Sequence, residues 1–420
     1  NVSTVAVLSE VVGVAPGIFH GYSGVFVSFP TTIKFINGSG VDIYSTGGDL
    51  YDVVHVAGIE GSFGERDGDF KGLSTFNDPS RLRYDAMENV LFAVSDSSNV
   101  IRILDFETNN VSTLTDSSGN NMMFPIPSGY LSGGRFPGMD LDIAGSYLYV
   151  TDRYNLYNLT RSLDSQHDVA YNRQMYTALA EFAAAESWPS DYYVFGVAAV
   201  EHESTLYVTV SYRLNILLRI PMRVTHYSEI AVVAGNASDV YDGVFQDNVT
   251  PYARDGFGMD AMLAFPSSVT YDPVSDSLYF TESFTEFDQH VDDLYVGSMT
   301  VRRFKLSTGY VSTYAGYDFS NGHGDQHETY FTAGGYRDGW AAEAEFSYPL
   351  TISYAGYSIL GEPVLFVTDF FNNALRVVFT GECLIPPNRT LTPTHAPSIS
   401  SNPLPTLYPT SMPQTWQPSP

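Results

Sequence analysis

The sequence predicts an all-β fold: a six-bladed β-propeller closed by an N-terminal strand that completes the last blade, followed by an extended, polyproline-II-like tail. Three observations predict it. One unit recurs along the chain, each clear copy holds four short β-rich runs, and the chain opens on NVSTVA, a phrase that elsewhere ends a unit (NVSTLT at 110–115, YVSTYAG at 310–316).

The first full copy starts at Val53 (VVHVAGIEGSFGERDGDF), the second at Ala231 (AVVAGNASDVYDGVF) and the third at Val311 (VSTYAG). Each runs from an Ala-Gly exit through a polar loop with Asp-Gly: Asp67-Gly68, Asp255-Gly256 and Asp338-Gly339. A Phe followed shortly by Pro comes next: Phe76 and Pro79, Phe265 and Pro266, Phe346 and Pro349. Four runs separated by turn residues complete the unit, at 81–84, 90–95, 100–104 and 111–114 in the first copy. Four short strands per repeat describe a propeller blade.

These features, with the LFAVSD, LYFTES and LFVTDFFNNALRV strands and the VSTxAG ending, resemble the NHL-repeat family of β-propellers. The resemblance covers about residues 1–380. Weaker units fill the gaps: LYVTD at 148–152 and TLYVTV at 205–210 read as second strands of divergent blades, and GVFVSF at 24–29 with TIKF and VVHVAG as another. The expected blades are roughly 7–58, 59–120, 121–180, 181–235, 236–316 and 317–380, within a propeller of residues 1–383.

The last unit runs through LRVVF and breaks into GECLIPP with no fourth strand. Val2, Ser3, Thr4, Val5 and Ala6 supply it, so the start of the chain clasps its end. Backbone hydrogen bonds then close the ring, where side-chain packing alone would leave an open edge.

One segment departs from the repeat. DVAYNRQMYTALAEFAAAE, residues 168–186, sets Met175, Leu179, Phe182 and Ala183 at helical spacing among strong helix formers, and predicts a helix inserted beside the third blade. From 384 to 420 the chain is rich in Pro, Ser and Thr and lacks periodic apolar residues, so it builds no core of its own.

The formal charge of −27, from 47 acidic and 20 basic residues, opposes nucleic-acid binding, which relies on Lys and Arg. No apolar run is long enough to span a membrane as a helix. Sequons stand at Asn1, Asn37, Asn110, Asn158, Asn236, Asn248 and Asn388; apart from the terminal Asn1 they are expected to carry sugar on exposed turns or loop edges. They favour an extracellular or cell-surface glycoprotein. The lone Cys383 is either an intermolecular link or a buried thiol. In the tail, Thr390, Thr392, Thr394, Ser398, Ser400, Ser401, Thr406, Thr410 and Ser411 are candidates for O-glycosylation, and Tyr408 and Trp416 for anchors on a neighbouring chain.

Catalytic chemistry finds little foothold. HExxH, GxSxG and GxxxxGK[ST] are absent, and His323 and His327 lie in a Gly-rich stretch unsuited to a helical zinc pair. The family resemblance implies one further option, since some extracellular relatives are lyases with zinc held by histidines of several blades; His20, His55, His202 and His226 are the residues that could converge here, with separate loop and strand roles as the competing reading. Asp96, Asp152, Glu282 and Asp369 end second strands, and Arg102, Arg303 and Arg376 follow in third strands, as turn caps or ion pairs would. Calcium on Asp67, Asp69, Asp255, Asp260 and Asp338 lacks the twelve-residue loop that would support it. No cofactor beyond covalent glycans is expected.

The resulting expectation is a non-enzymatic building block of a surface fibril or coat, with copies of itself as partners. Its rivals are a stalked adhesion or ligand-binding propeller and a propeller hydrolase or lyase.

Overall fold

A computed structural model describes residues 2–8, 10–37, 53–95, 97–124, 140–152, 154–163, 169–189, 192–211, 214–236, 253–283, 285–288, 293–296, 298–316, 335–341, 343–357 and 363–380. Among them are six antiparallel sheets whose strands follow in simple up-and-down order. Blade 1 is Val14–Phe19, Tyr22–Ser28, Thr32–Asn37 and Val53–Gly58; blade 2 is Pro79–Asp85, Val90–Ser95, Val100–Asp105 and Asn110–Thr113. Blade 3 is Asp140–Ala144, Tyr147–Thr151, Leu156–Leu163 and Val169–Met175; blade 4 is Tyr193–Val200, Thr205–Ser211, Ile216–Pro221 and Ala231–Ala234. Blade 5 is Pro266–Asp272, Ser277–Glu282, Thr300–Lys305 and Tyr310–Ala315, with a hairpin, Thr285–Asp288 and Asp293–Val296, set between its second and third strands. Blade 6 is Pro349–Tyr357, Pro363–Asp369 and Ala374–Phe379, and its fourth strand is Val2–Val7.

The first strands touch one another in sequence, from blade 1 round to blade 6 and back to blade 1, and so enclose a central axis. The period of two along each strand explains why the blades pack. In Val90–Ser95, Leu91 and Ala93 join a cluster shared with blade 1, while Phe92 and Val94 join one shared with blade 3. Each of the six interfaces has its own apolar cluster, so these strands are buried on both faces.

Closure follows the expected route. Val2–Val7 pairs antiparallel with Ala374–Phe379, with Val2 opposite Val378 and Thr4 opposite Arg376. Val2 packs toward blade 5 and Val5 toward blade 1, so the strand seals two interfaces together.

The helix differs from expectation at its start. It spans Thr177–Ala185, with Ala178, Leu179, Phe182 and Ala183 buried against blade 4, whereas Val169–Met175 is the fourth strand of blade 3. Seven consecutive pairings with Leu156–Leu163, from Val169 through Met175, outweigh local helix propensity there. Met175 is accordingly an edge-strand residue, 43% exposed. The tail, with Cys383, Tyr408, Trp416, Asn388 and the Ser/Thr candidates, lies outside the described residues, as do Asn1, Asn248, Asp96, His323 and His327.

Candidate functional site: blade locks and the axis

The Arg-Asp-Gly loops of blades 2, 5 and 6 build one repeated lock. In blade 2 the fully buried Arg102 binds Glu65 at 2.5 Å and Asp67 at 2.8 Å, and donates to the carbonyls of Arg66 and Thr75. In blade 5 Arg302 binds Glu282 at 2.9 Å and Asp255 at 3.1 Å; in blade 6 Arg376 binds Asp369 at 2.7 Å and Asp338 at 2.9 Å. The loop aspartate then grips the fourth strand. Asp67 accepts from Thr113 Oγ1, Asp255 from Thr313 N and Oγ1, and Asp338 from Thr4 N and Oγ1. Thr4, Thr113 and Thr313 are thus one position of the repeat, which is the physical meaning of the shared NVST and YVST phrases.

The register corrects two assignments. Arg302, and not Arg303, is the counterpart of Arg102 and Arg376: Arg302 lies opposite Phe280, as Arg102 lies opposite Ala93 and Arg376 opposite Val367. Arg303, one residue on, faces the other side and sits over the Tyr314 ring. Phe265 is likewise no counterpart of Phe76 and Phe346. Those rings stack beneath Arg102 and Arg376, whereas Phe265 shares with Asp78 and Tyr348 the left-handed position before a proline, at φ of 56°, 52° and 64°. Leu263 takes the ring's place in blade 5. The glycine after each loop aspartate has a steric reason in two copies, since Gly68 and Gly339 stand at φ of 146° and 154°.

Burial sets the electrostatics of the locks. Desolvation pushes the Glu282 carboxyl up against the pull of Arg302, and the Asp369 carboxyl up to about 6 against Arg376. Blade 3 has a neutral variant, in which the Tyr157 hydroxyl donates to Asp152 at 2.6 Å. Asp69 caps its own turn by accepting from Lys71 N and Gly72 N, and the Asp260 carbonyl accepts from Arg254.

A second repeated device surrounds the axis and escaped the sequence reading. Ser28, Thr151, Thr209, Thr281 and Thr368 occupy one position of the second strand in five blades, each without exposed surface; in blade 2 the register puts Val94 there, since Ser95 lies opposite Pro79 as Glu282 lies opposite Pro266 and Asp369 opposite Pro349. Thr151, Thr209 and Thr368 each accept from a first-strand N–H of their own blade (Asp140, Gly196, Thr351). Their hydroxyls donate onward to the next blade, at Phe195 O, Ser267 O and Val12 O. Bulges in the first strands, as between Val194 and Val197 or Pro349 and Thr351, leave those groups free of the ladder. The signal was present in VFVS, LYVT, LYVT, LYFT and LFVT.

Charge reaches the axis through blades 2 and 3. Arg81, 3% exposed, donates to Leu350 O at 2.9 Å, two blades away in the ring. Asp142 pairs with Arg83 of blade 2 and accepts from Ala199 N of blade 4. Asp140, 6% exposed, accepts from Leu141 N, while its Oδ2 has no hydrogen-bond partner among the described residues. Burial pushes its carboxyl up to about 6, opposed by Arg81. Val12, Met299, Tyr348 and Leu350 form an apolar cluster beside these groups.

The four histidines lie in separate surroundings. His20 is in the turn between the first two strands of blade 1, and His55 Nε2 is 3.0 Å from Gly58 O. His202 stands by Tyr271 and Asp276, and His226 caps a short 3-10 turn through Ser228 N. Among the described residues no three His, Cys, Asp or Glu gather as a metal-ligand set. Of the sequons, Asn110 is exposed at the start of a fourth strand, and Asn37 and Asn236 are half-buried at strand ends. Asn158 lies inside a strand, paired on both sides with Tyr149 and Gln174, where a turn or loop edge was expected.

No family model and no curated protein matches the chain. Among solved structures, a structural genomics protein of unknown function from Bacteroides thetaiotaomicron aligns over 90% of this chain and 75% of its own, at TM-score 0.52 and 15% identity. A gluconolactonase from Xanthomonas campestris aligns over 90% and 88%, at TM-score 0.44 and 12% identity. Virginiamycin B lyase from Staphylococcus aureus aligns over 90% and 97%, at TM-score 0.40 and 9% identity. At such identities likeness concerns fold alone, and the chain is a six-bladed β-propeller.

Proposed function

We propose that this chain is an extracellular structural glycoprotein, its propeller a rigid, glycan-coated head and residues 384–420 a glycosylated element that joins copies into a surface fibril or coat. One observation carries the reading. The arginines, carboxylates and hydroxyls that recur in the repeat, the groups a catalytic reading would recruit, are committed to fastening loops, strands and blades to one another. Buried ion pairs of this kind fix register more than they add stability, which suits a part that has to hold one shape. The sequons and the Pro/Ser/Thr-rich tail support the setting. Electron microscopy of native material tests it: a repeating array is expected, and isolated heads on stalks would overturn assembly in favour of a displayed binding module.

A second reading, a propeller that binds or turns over a ligand at its axis, draws on the unpartnered Asp140 Oδ2 beside Arg81. Stoichiometric metal in native material, lost in an Asp140→Asn variant, would favour it.

A further inference from the structure

Blades 4 and 5 share a side-chain pair that the other blades lack. Tyr207 lies opposite Arg219 across the second and third strands of blade 4, and Tyr279 lies opposite Arg303 at the same place in blade 5. In the remaining blades the position of the arginine is held by Phe35, Ile103, Asn158 and Val377. A bulge at the same point of the fourth strand then leaves one unpaired residue beside each Tyr–Arg pair: Tyr314 in blade 5, between Thr313 and Ala315, and Val233 in blade 4, between Val232 and Ala234.

Tyr314 closes its own site. Its ring stands 4.9 Å from that of Tyr279, edge to face, with the Arg303 guanidinium 5.4 Å from its centre. Val233 has no ring to do the same, and an open groove of about 520 Å³ runs between blades 4 and 5. Tyr207, Arg219 and Val233 form one wall, Phe304 and Leu306 the other, with the Phe304 ring 6.3 Å from that of Tyr207.

The rim differs as well. The Tyr207 hydroxyl donates to Glu203 Oε2 at 2.9 Å, whereas the Tyr279 hydroxyl meets that of Ser275 at 3.4 Å. Burial pushes the Tyr207 phenol up, the bond to Glu203 adds to the shift and Arg219 opposes it, so the hydroxyl keeps its proton and stays a donor to the carboxylate. Glu203 is exposed in the turn before Thr205–Ser211, and its Oε1 makes no hydrogen bond among the described residues.

We propose that this groove binds a small aromatic amine, its ring in the place that Tyr314 fills in blade 5 and its ammonium on Glu203 at the rim. The ring follows from the repeat: a Tyr edge and a guanidinium together offer a second π-system an edge-to-face and a cation–π contact, and Val233, Phe304 and Leu306 take it out of water. The amine follows from charge. An ammonium gives Glu203 a charge-assisted hydrogen bond, a neutral ring gives it none, and a carboxylate would face it as a like charge. The groove falls within the several-hundred Å³ range of small-ligand sites. The site uses none of the locks or axial hydroxyls, and it stands apart from the assembly reading above.

Ligand-observed NMR titrations of the full chain with tyramine, 2-cyclohexylethylamine and 3-phenylpropanoate test it. Tyramine is expected to bind at one site, about three- to tenfold more tightly than the saturated amine, the size of one aromatic contact. It should also bind about tenfold or more tightly than the carboxylate. Val233→Tyr, which installs the blade 5 side chain, is expected to abolish binding while the protein melts no lower than wild type. Glu203→Gln, on an exposed residue, should weaken tyramine about tenfold and leave melting unchanged, and it decides alone if Val233→Tyr does not fold. Tyramine binding that survives Val233→Tyr in a folded variant overturns the site, as do indifference to Glu203→Gln, tighter binding of 3-phenylpropanoate, or no binding of tyramine. None of these results touches whether copies of the chain assemble, which microscopy reads separately.

Discussion

The clasp strand offers a comparison inside six residues. Val2 and Val5 are 1% and 2% exposed, whereas Val7 in the same strand is 56% exposed. Replacing a buried valine by alanine removes two carbons from an apolar site, about 1.6 kcal/mol at 0.8 kcal/mol per CH₂, with a further part for the cavity. Val2 and Val5 belong to different interface clusters, so their effects add, to about 3–4 kcal/mol for Val2→Ala/Val5→Ala. Val7→Ala should stay within about 0.5 kcal/mol. With about 2 cal/mol/K of unfolding entropy per residue, a ring of this size would lose about 4–5 °C in Tm for the double variant. Calorimetry and urea unfolding of the three proteins measure both quantities. A double variant no less stable than Val7→Ala would refute the clasp, as would a chain lacking residues 1–6 that melts where the full chain does.

Other outcomes follow from the locks and the axis. Arg302→Met strands the fully buried Glu282 and should cost about 3–5 kcal/mol, while Arg303→Met, which gives up the Tyr314 ring contact and a hydrogen bond with Tyr279, should cost less, about 1–2 kcal/mol, by urea unfolding. Thr209→Val leaves Gly196 N and Ser267 O without their buried partner and should cost about 1–3 kcal/mol, with the loss visible as faster amide exchange at Gly196. Asp140 binds its proton more tightly folded than unfolded, so its contribution is full below about pH 4 and is lost as pH rises through about 6, some 3 kcal/mol in all. Asp140→Asn should therefore flatten the fall in stability between about pH 4 and pH 7; an unchanged slope in urea midpoints would refute that assignment.

The fold was legible because the repeat is written twice over, in turn chemistry and in the phrase that ends each unit. Thr4 shows why the closure could be read: its partner Asp338 stands to it as Asp67 stands to Thr113. What was illegible was face. Arg302 and Arg303 are adjacent and chemically identical, and only strand pairing tells which of them turns inward. Phe265 misled for a related reason, since distance to proline, and not the presence of Phe, defines the lock. Local helix propensity in 168–186 hid a strand whose existence depends on a partner twelve or more residues away in most of its pairings. The axial hydroxyls were in plain view as letters, but a Ser or Thr in a strand carries no sign of the carbonyl it will reach in the next blade.

The clasp also sets an order of events in time. Val2–Val7 leaves the ribosome before any blade exists, yet its partner strand Ala374–Phe379 and its anchor Asp338 emerge hundreds of residues later, with 334 positions between Thr4 and Asp338. At roughly 5–20 residues per second that delay is about 15–75 s. Throughout it an apolar strand has no sheet to join, and once blade 6 forms, its open edge is a template for any other waiting start. A crowded translation site therefore offers each ring the clasp of its neighbour as readily as its own, and nascent-chain spacing becomes part of how faithfully this molecule closes on itself.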